Sequence, residues 1–254
     1  DSVCIFSTRS GNTKEIVAAA KFCKEAGART MVYVSNDNTP VCEYADYKFY
    51  SPAEDPNLCE AIYSYTICLL GRFMKNAGAF DKYDEFMDQF AGLTKHLIAA
   101  KEKMDPVCQE LARKFKDVDY HMVIGGGMLW GEAYDYAMCI LEEMQWIRTK
   151  SIHVCEYFHG TLELVEKDTS LILFYGEDET RPLMDRVLKF SKTVTDEITI
   201  FDTKDIELPF TDPEYRKIVS PIVIYAMTER LSAHLAKERN HPLTTRRYYR
   251  QMEY

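Results

Sequence analysis

The sequence predicts an α/β protein with two parallel sheets, each sandwiched between helices. Two observations carry that prediction. Short apolar runs alternate with segments of helical periodicity along the 254 residues. In addition, a strand, a serine- or glycine-rich turn and a helix follow one another twice, once in each half. Alternation of this kind implies parallel strands with helices on both faces. Ligands in such folds sit beyond the carboxyl ends of the strands, where the turns are. The pattern restarts near residue 110, which divides the chain into 1–109 and 110–254.

Each element has a local reason. Ser2 to Phe6 is a short apolar run and reads as a buried strand. Ser10-Gly11-Asn12-Thr13 is a turn with capping residues, and Lys14 to Ala26 follows as a helix carrying Ile16, Val17, Ala20 and Phe22. Gly27 ends it. Thr30 to Val34 is a second strand, Asn36 to Pro40 a loop, and Tyr47 to Tyr50 a third, short strand. Leu58 to Met74 is a long apolar helix. Asp81 to Val118 is helical, polar on one face and interrupted by Pro106, as befits a connector. His121 to Ile124 is then a strand, Gly125 to Gly127 a turn and Trp130 to Ile147 a helix. Ser170 to Phe174 is a strand, Arg181 to Lys192 a helix, Ile198 to Phe201 a strand, and Asp212 to Arg239 a last long helix. A chain that starts at once on a strand is unusual, because domain ends tend to be loose, so a preceding segment is expected.

Composition narrows the function. A net charge of −9 disfavours general binding to nucleic acid or to an anionic membrane, although a local pocket can still be positive. Apolar runs stay short of the roughly 18 residues of a membrane span, and a signal-peptide pattern is not visible. The eight cysteines contain no C-x-x-C pair and mostly sit in apolar surroundings, such as Cys4 and Cys139, which reads as reduced core thiols in a cytoplasmic protein. His153 and Glu156 are three apart but lack companions at metal-ligand spacing, so no metal is expected.

Two regions carry chemistry. Ser7-Thr8-Arg9-Ser10-Gly11-Asn12-Thr13 joins a strand to a helix with four hydroxyls in seven residues. Gly11 permits close backbone approach, and the helix N-terminus offers free N–H groups and a partial positive charge. The turn suits a phosphate, although a serine-rich cap with no ligand fits equally well. The second region is Glu142-Glu143-Met144-Gln145-Trp146-Ile147, followed by Glu156-Tyr157-Phe158-His159-Gly160, in which His159 follows Glu143 by sixteen residues. A carboxylate and an imidazole are a competent general base and acid near neutral pH. Gly126 either lines a sugar pocket or permits close strand–helix packing.

These stretches together resemble the sugar-isomerase (SIS) family of phosphosugar-binding proteins. The turn at 7–13 is similar to its hydroxyl-rich S-x-S-G-x-T signature, and Asn38-Thr39-Pro40 to its second loop. Glu143 and His159 match the glutamate and E-x-x-H-G-P histidine of its isomerases and deglycases, with Thr161 in the place of proline. The ending His241-Pro242 through Arg246-Arg247-Tyr248-Tyr249 to Glu253-Tyr254 resembles the fructosamine-6-phosphate deglycase branch. The stretch Leu243 to Arg247 lacks the Schiff-base lysine of the aminotransferase branch.

The resemblance implies two SIS domains, each a flavodoxin-like three-layer α/β/α unit, with roughly seventy residues preceding Asp1. It implies Thr8, Ser10 and Thr13 as phosphate ligands, with Ser7 and Arg9 beside them. Glu143 becomes the base and His159 the acid, Glu156 a structural or orienting residue, and Arg246 part of a tail that packs over the site or touches substrate. A homodimer or higher oligomer with shared sites is implied, and no cofactor. The expected activity is cleavage of a fructosamine 6-phosphate to glucose 6-phosphate and a free amino acid. The alternatives are an aldose–ketose phosphosugar isomerase, a glucosamine-6-phosphate deaminase or synthase, and a non-catalytic phosphosugar sensor.

Overall fold

The computed structural model describes residues 2–51, 59–249 and 251–253. They pack as two compact units, Asp1–Tyr65 and Thr66–Tyr254. The line between these units falls within one helix, whose residues after 65 pack with the second unit.

The first unit holds β1 (Val3–Ser7), α1 (Lys14–Glu25), β2 (Arg29–Val34) and β3 (Tyr47–Tyr50). The three strands are parallel in the order β1-β2-β3. β2 is central, and its Val32 and Val34 are buried with Ala20 and Val41. Among the described residues the first strand, expected to be buried, lies at one end of this sheet, with Val3 and Ile5 47% and 40% exposed. Gly27, at φ +83°, takes the left-handed conformation that ends α1 cheaply. α2 (Glu60–Asn76) spans the division, and Leu58, expected at its start, lies outside the described residues.

In the second unit α3 (Tyr83–Phe90) and α4 (Leu93–Phe115) replace the single connector expected. They break at Ala91-Gly92, whereas Pro106 is tolerated inside α4. α4 buries Leu93, Leu97, Ala100, Met104, Cys108, Ala112 and Phe115, a three-and-four spacing that forms one apolar stripe. It packs along α7 (Pro213–Glu238). The middle of α7 is buried all round, from Ile222 to Thr228, and the Thr228 hydroxyl is satisfied by donating to the Ile224 carbonyl at 2.9 Å. Asp105 of α4 accepts from Arg230 Nη2 at 2.6 Å and pairs with His234 Nε2 at 2.9 Å, which fixes the register of the two helices.

The second sheet contains β4 (Tyr120–Gly125), β5 (Arg148–His153), β6 (Ser170–Tyr175) and β7 (Ile198–Asp202), all parallel, in the order β5-β4-β6-β7. β6 is buried along its whole length. Each of its large apolar side chains contributes about 1.5–3 kcal/mol. β5 was not evident in the sequence, since Ile152 is its one buried side chain and the strand is an edge. α5 (Trp130–Asp135) runs into a wider π-helical segment, Tyr136–Met144, and α6 (Arg181–Ser191) follows β6. The chain passes from β4 to β5 on one side and then returns to β6 on the other. The crevice at the carboxyl end of β4 is therefore the switch point where α/β sheets hold ligands. Among the described residues no helix is long and apolar enough to cross a membrane.

Candidate active site

The hydroxyl-rich turn belongs to the first unit. Ser7 ends β1, and the Thr8 N–H still donates to the Tyr33 carbonyl at 2.9 Å. The Ser35 N–H donates to the Arg9 carbonyl at 3.1 Å. Gly11 is left-handed at φ +66°, and a Cβ there would lie 2.1 Å from Thr39 Oγ1, so only glycine fits. Val41 N–H donates to the Gly11 carbonyl at 3.2 Å, completing a buttress of the turn by the Asn38–Val41 loop. Ser10 Oγ accepts weakly from Asn12 N–H at 3.4 Å. Thr13 is the extended N-cap of α1, but its side chain does not cap the helix. The first N–H groups of α1 thus keep their hydrogen-bonding capacity for an anion.

Glu143 lies in the π-helical segment that follows α5. π-helical turns are rare and concentrate at functional sites. Two residues past the end of that segment, Trp146 is left-handed (φ +56°), and its N–H donates to the Glu142 carbonyl at 3.1 Å. The chain beyond α7 returns to this point. Gln145 Nε2 donates to the His241 carbonyl at 2.8 Å, and the His241 ring meets Trp146 edge-on at 4.4 Å. Arg247 also lies over that ring, 4.1 Å from its centre. Arg246 Nη1 donates to the carbonyls of Leu243 (2.7 Å) and Thr245 (2.9 Å), and Nη2 reaches Glu143 Oε1 at 3.1 Å. The result is a cavity of about 380 Å³ lined by Glu142, Glu143, Trp146, Arg246, Arg247, Tyr248 and Tyr249. Glu142 is engaged elsewhere, accepting from Thr149 Oγ1 at 2.6 Å. Burial first, then Arg239 and Arg247, hold His241 below the ordinary histidine range.

His159 closes a 3₁₀ turn, Val154–His159, at the carboxyl end of β5. Buried Val154 and Tyr157 anchor it, and the Tyr157 hydroxyl meets Ser191 Oγ at 2.8 Å. Gly160 has φ +147°, which a residue with a side chain rarely adopts, so glycine is required after the histidine. Thr161, in the position of a family proline, is buried and accepts from Lys150 Nζ at 3.1 Å. His159 and Glu156 are both exposed, and neither lines the cavity around Glu143. Gly126 is tightly packed: a Cβ there would lie 2.5 Å from Val154 Cγ1. Buried Asp178, which sequence reading did not single out, holds this turn through the Met128 N–H (2.7 Å) and also caps Thr180 (2.8 Å). The D-x-T spacing after β6 is the signal that could have found it.

The parallel α/β sheets and the hydroxyl-rich strand-to-helix turn are those of the phosphosugar-binding class of α/β proteins, and the SIS domain profile matches residues 1–70. The fructosamine deglycase FrlB of Bacillus subtilis (strain 168) is 33% identical, over all of this chain and 77% of its own length. The fructoselysine 6-phosphate deglycase of Escherichia coli (strain K12) is 24% identical, over 94% of this chain and 68% of its own length. A crystal structure from Salmonella typhimurium LT2, described as a phosphosugar isomerase, superposes with a TM-score of 0.91 and 33% identity, covering all of this chain and 77% of that one. The chain belongs to the fructosamine deglycase family of SIS-domain proteins.

Proposed function

We propose that this chain cleaves a fructosamine 6-phosphate, the glycation product of an amino acid, to glucose 6-phosphate and the free amino acid. The observation that carries this reading is the likeness to fructosamine deglycase FrlB along the whole chain. In the proposed chemistry Glu143 takes a proton from C1, beside the C2 ketone, which gives an enaminol. A proton returned to C2 leaves an imine at C1. Water adds there, and loss of the amine gives glucose 6-phosphate. His159 moves the proton at the O2 oxygen. Each of these groups contributes on the order of 10²–10⁴-fold. The steps balance with one water consumed and draw on no cofactor.

Thr8, Ser10 and Thr13, with Ser7 and Arg9, hold the phosphate in this reading, supported by the uncapped start of α1. Arg246 holds Glu143 until substrate arrives, then contacts substrate. Glu156 orients the histidine turn, and Gly126 lets the β4 turn approach the ligand. Residues 1–109 and 110–254 are read as two SIS domains, each built around one of the two parallel sheets. Since His159 does not line the Glu143 cavity, the complete site is assigned to a homodimer or higher oligomer in which subunits share residues. The setting is cytoplasmic, in keeping with eight cysteines none of which is joined in a disulfide among the described residues.

The test is release of glucose 6-phosphate, coupled to its dehydrogenase, from 6-phosphofructosyl adducts of several amino acids. Interconversion of fructose 6-phosphate and glucose 6-phosphate without amine release would instead identify an isomerase.

A further inference from the structure

Trp146 lines two cavities. One contains Glu143. The other, about 480 Å³, has three arginines among its seven lining residues, Arg148, Arg239 and Arg247, against a single carboxylate, Asp119. Arg247 and Trp146 belong to both. In a chain with 40 acidic and 31 basic residues, such a concentration of positive charge is against the average. Among the described residues none of the three arginines forms an ion pair. Arg239 spends its terminal nitrogens on the carbonyls of Lys116 and Gln145, and its buried Nε has no partner. Arg247 is held by the faces of Trp146 and Tyr248, at 4.1 and 6.0 Å, which leaves its N–H fork unspent. Stacking of this kind fixes a guanidinium plane without using its donors.

An amino-acid adduct whose C1 lies at Glu143 carries a carboxylate on the amine side, away from the sugar. A planar guanidinium beside the base recognises that group through two parallel hydrogen bonds. We infer that Arg247, assisted by Arg148 and the field of Arg239, is the subsite that reads a carboxylate on the amine half of the substrate. The enzyme therefore selects glycated amino acids over glycated simple amines. This rests on the deglycase reading and adds to it the residues that set specificity.

The experiment compares kcat/KM for paired adducts that differ only in the carboxylate. The 6-phosphofructosyl adduct of glycine is set against that of methylamine, and the Nε adduct of lysine against that of 1,5-diaminopentane. The intact protein prefers the carboxylated member of one pair by on the order of 10- to 100-fold. The pair that shows the preference tells whether the carboxylate lies next to the reacting nitrogen or at the far end. Arg247→Gln collapses that ratio to within about twofold, Arg247→Lys restores part of it, and Arg148→Gln, at an exposed position, narrows it. Melting temperatures confirm that each variant folds. An unchanged ratio with both rates lowered overturns the assignment and gives Arg247 a role in folding or phosphate binding. No preference in the intact protein overturns it as well. If the folded, intact protein releases glucose 6-phosphate from none of the four adducts, the deglycase reading fails and takes this inference with it.

Discussion

Glu143→Gln separates chemistry from stability. The amide keeps the shape of the carboxylate but cannot accept the C1 proton, so kcat falls by on the order of 10²–10⁴, about 3–5 kcal/mol in the barrier. The structural loss is much smaller. The substitution weakens one ion pair, Arg246 Nη2 to Glu143 Oε1 at 3.1 Å, whose side chains are 18% and 34% exposed. A solvent-screened pair of that kind contributes about 1 kcal/mol or less. Arg246 keeps its two carbonyl acceptors, and the returning chain keeps the Gln145–His241 bond and the contacts on Trp146. In a unit of this size about 1 kcal/mol moves Tm by only about 2–4 °C. The assay has three readouts: coupled glucose 6-phosphate release, Tm, and glucose 6-phosphate affinity by calorimetry. The expected result is turnover nearly abolished, Tm within a few degrees and affinity unchanged within a few-fold. Retention of more than about a tenth of the activity refutes Glu143 as the base. A loss of activity that tracks a large fall in Tm refutes the separation and makes Glu143 a structural tie.

His159→Ala removes an exposed side chain, so it should lower kcat by on the order of 10²–10⁴ with Tm unchanged. If subunits share sites, refolding equal amounts of Glu143→Ala and His159→Ala chains together restores about a quarter of the activity, since half the dimers are mixed and each holds one intact site. A mixture as inactive as its parents rules out sharing. His121 supplies a pH test. It is fully buried, with Nδ1 2.8 Å from Ser170 Oγ and Nε2 unpartnered, and burial first, then Arg239, pushes it down to about 4 from 6.5. Above pH 6.5 neither state holds the proton and this contribution is complete. Between 6.5 and 4 the unfolded chain alone takes it up, so stability drains by at most about 3 kcal/mol. Urea midpoints between pH 7.5 and 4.5 should therefore slope less steeply for His121→Gln, and equal slopes would disprove the argument.

Much of the architecture was legible because parallel strands and their turns leave strong local patterns. The third strand and the last two helices fall within a residue or two of the boundaries expected. Where reading failed, the missing information was tertiary. An apolar run does not say which of its faces is covered, so Val3 and Ile5 looked buried although, among the described residues, their strand stands at the end of its sheet. Edge strand β5 buries one side chain and so shows no apolar pattern. The hydroxyl turn and the glutamate–histidine spacing were visible, but Arg246 stands 103 positions beyond Glu143, and spacing says nothing about such a partnership. The left-handed Trp146 was equally hidden, since bulky residues seldom adopt that conformation.

That tryptophan has an optical consequence. The chain contains two, and the other, Trp130, sits against His153 at 5.3 Å, well apart in sequence. The Trp146 indole meets both an imidazole and a guanidinium, so its emission depends on how those neighbours lie. Occupancy of either cavity, or release of the returning segment, must alter that environment. A Trp130→Phe variant would make the protein report on its own pocket by fluorescence, with no added label.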